Sequence, residues 1–177
     1  MEIICNIEEY DVIRLSKDIA KKHISELIEI ICQIPLVDYS CEQIMAEKKE
    51  TRIFFGKWKH SLAMIHNNKI IGVIIGYERQ SEMNKRYPEN TVYISEFGIN
   101  KEYQKRGLGK KLIRVFIGYN KKMGFKHLEG VLNFSVQTNS ANWNQHVIDL
   151  YKSFGFQPRA KKEYDNRIDV VLGLYPD

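Results

Sequence analysis

The run Gln104-Lys105-Arg106-Gly107-Leu108-Gly109 limits this chain more than any other stretch, because of what flanks it. Ahead of it, Thr91 to Ile99 is rich in β-branched and aromatic residues and reads as a strand. Behind it, Leu112, Ile113, Val115, Phe116 and Tyr119 recur at helical spacing. A glycine turn that opens a helix presents N–H groups lacking intrahelical acceptors, at the positive end of the helix dipole. Such a place holds anions, above all a pyrophosphate. A Cβ there would block both the approach of a ligand to the backbone and a positive φ.

Two phosphate loops are excluded. A P-loop ending at Gly109-Lys110 would need glycine in place of Gln104 and Ser or Thr in place of Lys111. A dinucleotide fingerprint would need a small residue in place of Leu112 and a tighter join than the seven residues Asn100 to Arg106. What remains, Gln-x-x-Gly-x-Gly, resembles the pyrophosphate signature of the GNAT superfamily of N-acetyltransferases. The likeness covers the whole of Ile99 to Leu112. It returns at Asn144 to Phe156, which is similar to the family pattern Asn-x-x-Ala-x-x-Leu-Tyr-x-x-x-Gly-Phe, with Val147 replacing the small alanine. The stretch Asn133 to Trp143 reads as an insertion between the expected fifth strand and Asn144.

At 177 residues, with 44% hydrophobic and 28% charged, the chain suits one domain over residues 1–177 with a core of its own. No apolar run approaches the ~20 residues of a membrane span, and the N-terminus lacks the order of a signal peptide. Cys5, Cys32 and Cys41 are odd in number and form no Cys-x-x-Cys pair. They read as small buried hydrophobes in a cytoplasmic protein. Of the net charge of +5, five basic residues and one acid between Lys101 and Lys111 leave +4 around the glycine turn. That placement suits a phosphorylated ligand. A nucleic-acid binder would show a basic stripe interleaved with exposed aromatics.

Along the chain, Glu2 to Ile7 reads as a strand. Val12, Ile13, Leu15, Ile19, Ile24, Leu27, Ile28 and Ile31 then read as one long or two abutting helices, closed by Pro35. Ser40-Cys41-Glu42-Gln43 is a capping box for a helix to about Lys49. Lys59 to His66 and Lys69 to Glu78 read as strands joined by Asn67-Asn68, a pair tolerant of the φ > 0 a tight hairpin demands. After the loop Gln80 to Asn90 and the strand Thr91 to Ile99, the helix behind the glycine turn stops at Gly124. His127 to Leu132 reads as a strand, Asn144 to Phe154 as a helix, and Phe156 to Lys161 and Arg167 to Tyr175 as strands. The resulting order, β-α-α-β-β-β-α-β-α-β-β, is the α/β (mixed α+β) fold the resemblance implies. In it a central, mostly antiparallel sheet is splayed between the fourth and fifth strands.

Strand alternation places Val92, Ile94, Glu96 and Gly98 on one face, and a carboxylate on an apolar face suits a general base for an ammonium substrate. A sheet-edge or ion-paired Glu is the alternative. Gly98 permits a bulge. Tyr151 lies on the inward stripe of Val147, Leu150, Tyr151 and Phe154, and Asn144 suits an N-cap. His60 and His66 share a strand face ~20 Å apart and make no metal site.

The resemblance implies roles beyond these. Acetyl-CoA would be the co-substrate, with no metal. Its phosphates would lie on the loop Gln104, Lys105, Arg106, Gly107, Leu108, Gly109 and Lys110. Its pantetheine would run along Phe97, Gly98 and Ile99 and toward Asn144. Glu96 would be the base and Tyr151 the acid for the departing thiolate. A small primary amine is the expected acceptor, with no nucleic acid and no membrane partner; a homodimer stays open. A protein N-terminus or lysine as acceptor, and an acyl-CoA sensor without catalysis, are the alternatives.

Overall fold

Among the residues that the structure describes, nine strands form one mixed sheet, ordered by short hairpin turns and by helical connections. The structure is a computed structural model that describes residues 2–33, 40–46, 54–79, 90–123 and 132–175. Pro35, Gly124, residues 127–131 and nearly all of the Gln80 to Asn90 loop lie outside the described residues.

Strands β1 (Ile3–Ile7) and β2 (Tyr10–Arg14) form a hairpin, followed by helices α1 (Lys17–Lys22), α2 (Ile24–Ile31) and α3 (Cys41–Met45). The short β3 (Phe54–Phe55), a helical turn α4 (Lys57–His60) and the hairpin of β4 (Leu62–His66) and β5 (Lys69–Arg79) lead to β6 (Thr91–Ile99). Helix α5 (Leu108–Met123) then crosses over to β7 (Asn133–Asn139), and α6 (Gln145–Lys152) precedes the hairpin of β8 (Gln157–Tyr164) and β9 (Arg167–Leu174). The sheet order is β1-β2-β4-β5-β6-β7-β9-β8, with β3 beside β5. Among the described residues the pair β6–β7 is parallel and the others antiparallel, and α5 supplies the crossover that a parallel pair needs.

Several expectations hold in detail. Asn67 and Asn68 turn the β4–β5 hairpin at φ of 47° and 60°. Ser40 and Gln43 form the capping box of α3: the Ser40 hydroxyl accepts from the Gln43 N–H at 3.2 Å, and the Gln43 side chain accepts from the Ser40 N–H at 2.8 Å. The strand Thr91–Ile99 has the bounds read from sequence.

Others are corrected. Val12 and Ile13 lie in strand β2 and not in a helix. The strand is buried on both sides, with Tyr10 and Val12 in one core and Ile13 in the other, so its apolar run carries no period-2 signature. Lys59 and His60 belong to α4, so His60 and His66 do not share a strand. His60 is instead buried against Asn120, Nδ1 to Oδ1 at 2.6 Å, and faces Glu78 at 3.4 Å. Burial opposes ionisation of Glu78, yet the His60 hydrogen bond and the charge of Lys59 hold it below the usual carboxylate range. Cys41 is exposed at the start of α3. The strand after α5 begins at Asn133, so Asn133 to Asn139 is β7 and no insertion. The alternation Leu132, Phe134, Val136, all buried, was its signal.

Two apolar cores sandwich the sheet. One lies under α5 and α6, around Leu112, Phe116, Phe134, Tyr151 and Phe156; the other lies under α1 to α3, around Leu27, Ile30, Ile31 and Ile75. Gly98 admits the second helix layer. A Cβ there would stand 2.7 Å from Ile30 Cγ2 and 3.1 Å from the Ile30 carbonyl oxygen. Gly98→Ala is therefore expected to lose roughly 1–3 kcal/mol by overpacking, read as a drop in Tm. An unchanged Tm would mean that α2 shifts without cost.

Candidate active site

One irregularity in β6 organises the site. Ile75 of β5 pairs with Glu96 and Gly76 with Ile94, which leaves Ser95 as an extra residue, a β-bulge. The β6–β7 pairing runs from Thr91↔Asn133 to Ile94↔Val136 and stops at that residue. Beyond it Ser95 to Ile99 and Gln137 to Asn139 diverge, so the expected splay is present and opens at the bulge. The bulge sits at Ser95 and not at Gly98, which pairs regularly with Val73.

The extra residue also swaps the faces of the strand. Val92 and Ile94 pack in the α5 core, and past the bulge so do Phe97 and Ile99. Glu96, opposite Ile75, and Gly98, under Ile30, turn to the α2 side. Glu96 thus does not share a face with Val92 and Ile94, as uninterrupted alternation implied. It is nonetheless 7% exposed, and the Ser95 hydroxyl donates to its Oε1 at 2.6 Å.

Helix α5 begins at the mouth of the splay. Its first hydrogen bond runs from the Lys111 N–H to the Gly107 carbonyl, so the N–H groups of Leu108, Gly109 and Lys110 have no acceptor within the helix. Gly107 has φ of +74°, and a Cβ there would meet nothing within 4 Å. Lys105 also takes a positive φ, 61°. At Gly109 a Cβ would stand 3.1 Å from Phe97 Cζ, which is why the helix can seat its first turn on β6. Open donors, an open surface and exposed Lys101, Lys105 and Lys110 fit a polyphosphate.

Not every residue of the loop faces that place. The Gln104 side chain donates to the Ile99 carbonyl at 2.9 Å and to Gln33 at 3.1 Å, which ties the loop to β6 and to the turn just past α2. Arg106 donates to the Glu102 carbonyl at 3.0 Å and stacks 5.3 Å from the Tyr103 ring centre.

Tyr151 and Asn144 approach from α6. Tyr151 is 2% exposed, its ring edge-on to Phe97 at 6.3 Å and to Phe156 at 5.3 Å, which places it beside the diverging end of β6. Burial pushes its hydroxyl well above the usual phenol range. Asn144 occupies the N-cap position of α6 but does not cap it with its side chain. Its amide donates to Thr138 Oγ1 at 2.7 Å and to the Asn139 carbonyl at 2.6 Å, pinning α6 to the end of β7 that lies past its pairing with β6. Sequence reasoning missed Ser95, Thr138 and Gln33, because only the fold brings them to Glu96, Asn144 and Gln104. Among the described residues no group of three His, Cys, Asp or Glu could hold a metal, and no helix is long and apolar enough to cross a membrane.

Solved structures share this architecture. The NatC complex bound to Gag peptide and CoA matches with a TM-score of 0.70 and 19% identity, over 96% of this chain and 99% of that one. The ribosomal-protein-S18-alanine N-acetyltransferase of Escherichia coli matches at 0.66 and 16%, over 93% and 92%. An acetyltransferase of the GNAT family from Streptococcus pneumoniae matches at 0.65 and 16%, over 94% and 98%. A search of curated protein sequences gives no match. The sequence model of the acetyltransferase (GNAT) family matches residues 26–156, from α2 through the glycine turn to the residue before β8, and the chain belongs to that family.

Proposed function

We propose that residues 1–177 act as one acetyl-CoA-dependent N-acetyltransferase domain that moves an acetyl group onto a primary amine by direct attack in a ternary complex. One observation carries this reading. The end of β6 that runs past its pairing with β7 seats the N-terminus of α5 on Phe97 and carries the buried carboxylate of Glu96.

Bound acetyl-CoA would supply an acyl carbonyl activated as a thioester. The N–H groups of Leu108, Gly109 and Lys110 would hold its phosphates, with Lys105 and Lys110 adding charge. Every second N–H of Ser95 to Ile99 points away from β5 into the gap. Those donors would bind the pantetheine and stabilise negative charge developing on the carbonyl oxygen. Glu96, oriented by Ser95, would take the ammonium proton at Oε2 from the α2 side. The Tyr151 hydroxyl would serve the sulfur from the α6 side. Placing two reactants across one narrow gap accounts for most of the expected rate, and proton transfer adds to it.

The test is CoA release from acetyl-CoA with a panel of small amines and of peptides with free N-termini. Peptides belong in the panel because the names of two structural neighbours include a peptide or a protein substrate. With an acceptor in hand, Glu96→Gln is expected to keep the fold and CoA binding. It should slow turnover most near neutral pH and recover as the pH nears the pKa of the free amine. A wild-type rate at every pH would leave the proton to solvent or to another group. Tight CoA binding without turnover on any amine would favour a sensor.

A further inference from the structure

We propose that the turn of the first hairpin is a built-in counter-ion of the cofactor loop: Glu8, paired with Lys111, and its neighbour Glu9 weaken the chain's hold on a phosphorylated ligand. The inference rests on reading the α5 N-terminus as the phosphate site.

Glu8 and Glu9 join β1 to β2, with Ile7 paired to Tyr10. Glu8 has φ of 57°, a left-handed conformation that costs a residue with a Cβ about 1–2 kcal/mol and that glycine takes freely. A glutamate in so unfavourable a place points to a use for its side chain. That side chain forms an ion pair with Lys111, in the first turn of α5. Glu9 accepts a hydrogen bond from the Tyr10 hydroxyl, which, with the charges of His66 and Arg106, holds its carboxyl below the usual range.

The contact is keyed by rings. Tyr10 from β2, His66 from β4 and Tyr103 ahead of the loop lie with centroids 5.1, 6.3 and 5.8 Å apart, and Arg106 stacks on Tyr103. This wedge sets the two carboxylates against the basic segment. Five basic residues and one acid between 101 and 111 leave +4, and the two glutamates bring the neighbourhood to +2. A polyanion arriving at the helix N-terminus meets two fixed negative charges as well as the lysines. The consequence for turnover is easier departure of spent CoA, and product release limits many enzymes.

Binding of CoA to the full chain, measured by calorimetry at low and high salt, tests this on wild type, Glu8→Gly, Glu9→Gln and the double variant. The double variant is expected to bind roughly tenfold tighter at low salt, with the gain shrinking as salt screens the charges. Glu8→Gly is expected to keep or raise Tm, since glycine relieves the strained φ. Glu163→Gln, which removes an exposed carboxylate on β8, is expected to leave affinity unchanged. Equal or weaker CoA binding by the hairpin variants, with wild-type binding intact, would overturn the counter-ion role alone. No CoA binding by wild type would overturn the cofactor site beneath it. Equal tightening by Glu163→Gln would reduce the effect to net charge and likewise overturn the proposal.

Discussion

Gly107→Asp is expected to abolish CoA binding while the protein stays folded. The position has φ of +74°, where Asn and Asp are the best tolerated residues after glycine. A Cβ there meets nothing within 4 Å, so the new side chain has room. What changes is charge: a carboxylate beside the three open N–H groups of α5 occupies them and repels a phosphate. Gly107→Asn carries the same backbone cost without the charge. The pair therefore separates strain from electrostatics. Calorimetry should show a loss of at least ~10²-fold for Asp and only a few-fold for Asn, as two like charges at close range imply. A folded Asp variant that binds CoA like wild type would remove the phosphates from this loop. Gly109→Asp is a poorer probe, because its side chain would first collide with Phe97.

Tyr151→Phe is expected to slow turnover by roughly 10²-fold, the usual loss with a general acid, and to leave CoA affinity and Tm nearly unchanged. The ring packs on Phe97 and Phe156, and phenylalanine fills that space. Among the described residues no hydrogen bond to the hydroxyl occurs, so its removal strands no partner. A phenol is protonated at neutral pH, the state that can donate to a departing thiolate, and burial raises the pKa of this one further. The same shift makes a second, independent forecast. A pKa raised in the folded state contributes stability that is complete below about pH 10, where an unfolded-chain tyrosine ionises, and is lost as pH rises beyond it. Wild type should therefore soften above that pH more than Tyr151→Phe. A stable variant with wild-type turnover would return Tyr151 to the core.

Much of the local structure around the candidate site was readable along the chain because its determinants are local. A glycine that must take φ of +74° marks itself in sequence, as do Asn67-Asn68 in a tight hairpin and Ser40 with Gln43 in a capping box. The strand Thr91–Ile99 and the helix after Gly107 followed from composition and period, and the family likeness followed from their spacing. Each such signal is written within about a dozen residues.

What escaped needed contacts between distant segments. Strand β2 is buried on both faces, and a run buried on both faces has no polar side to show whether it is strand or helix. Strand β7 was misplaced by a few residues because only its ladder with β6 and β9 marks where pairing starts. The face of Glu96 turned on a single extra residue in the ladder, Ser95, and a one-residue slip in a strand moves every later side chain to the other side. Sequence alone determined that a glycine turn able to take a positive φ opens a helix after a strand, since what glycine permits depends only on the missing Cβ. Only the tertiary structure decided which way Glu96 points, what Asn144 holds and which acids sit beside the lysines. Those are properties of strand register and of side chains up to 103 residues apart, and they exist only once the sheet has formed.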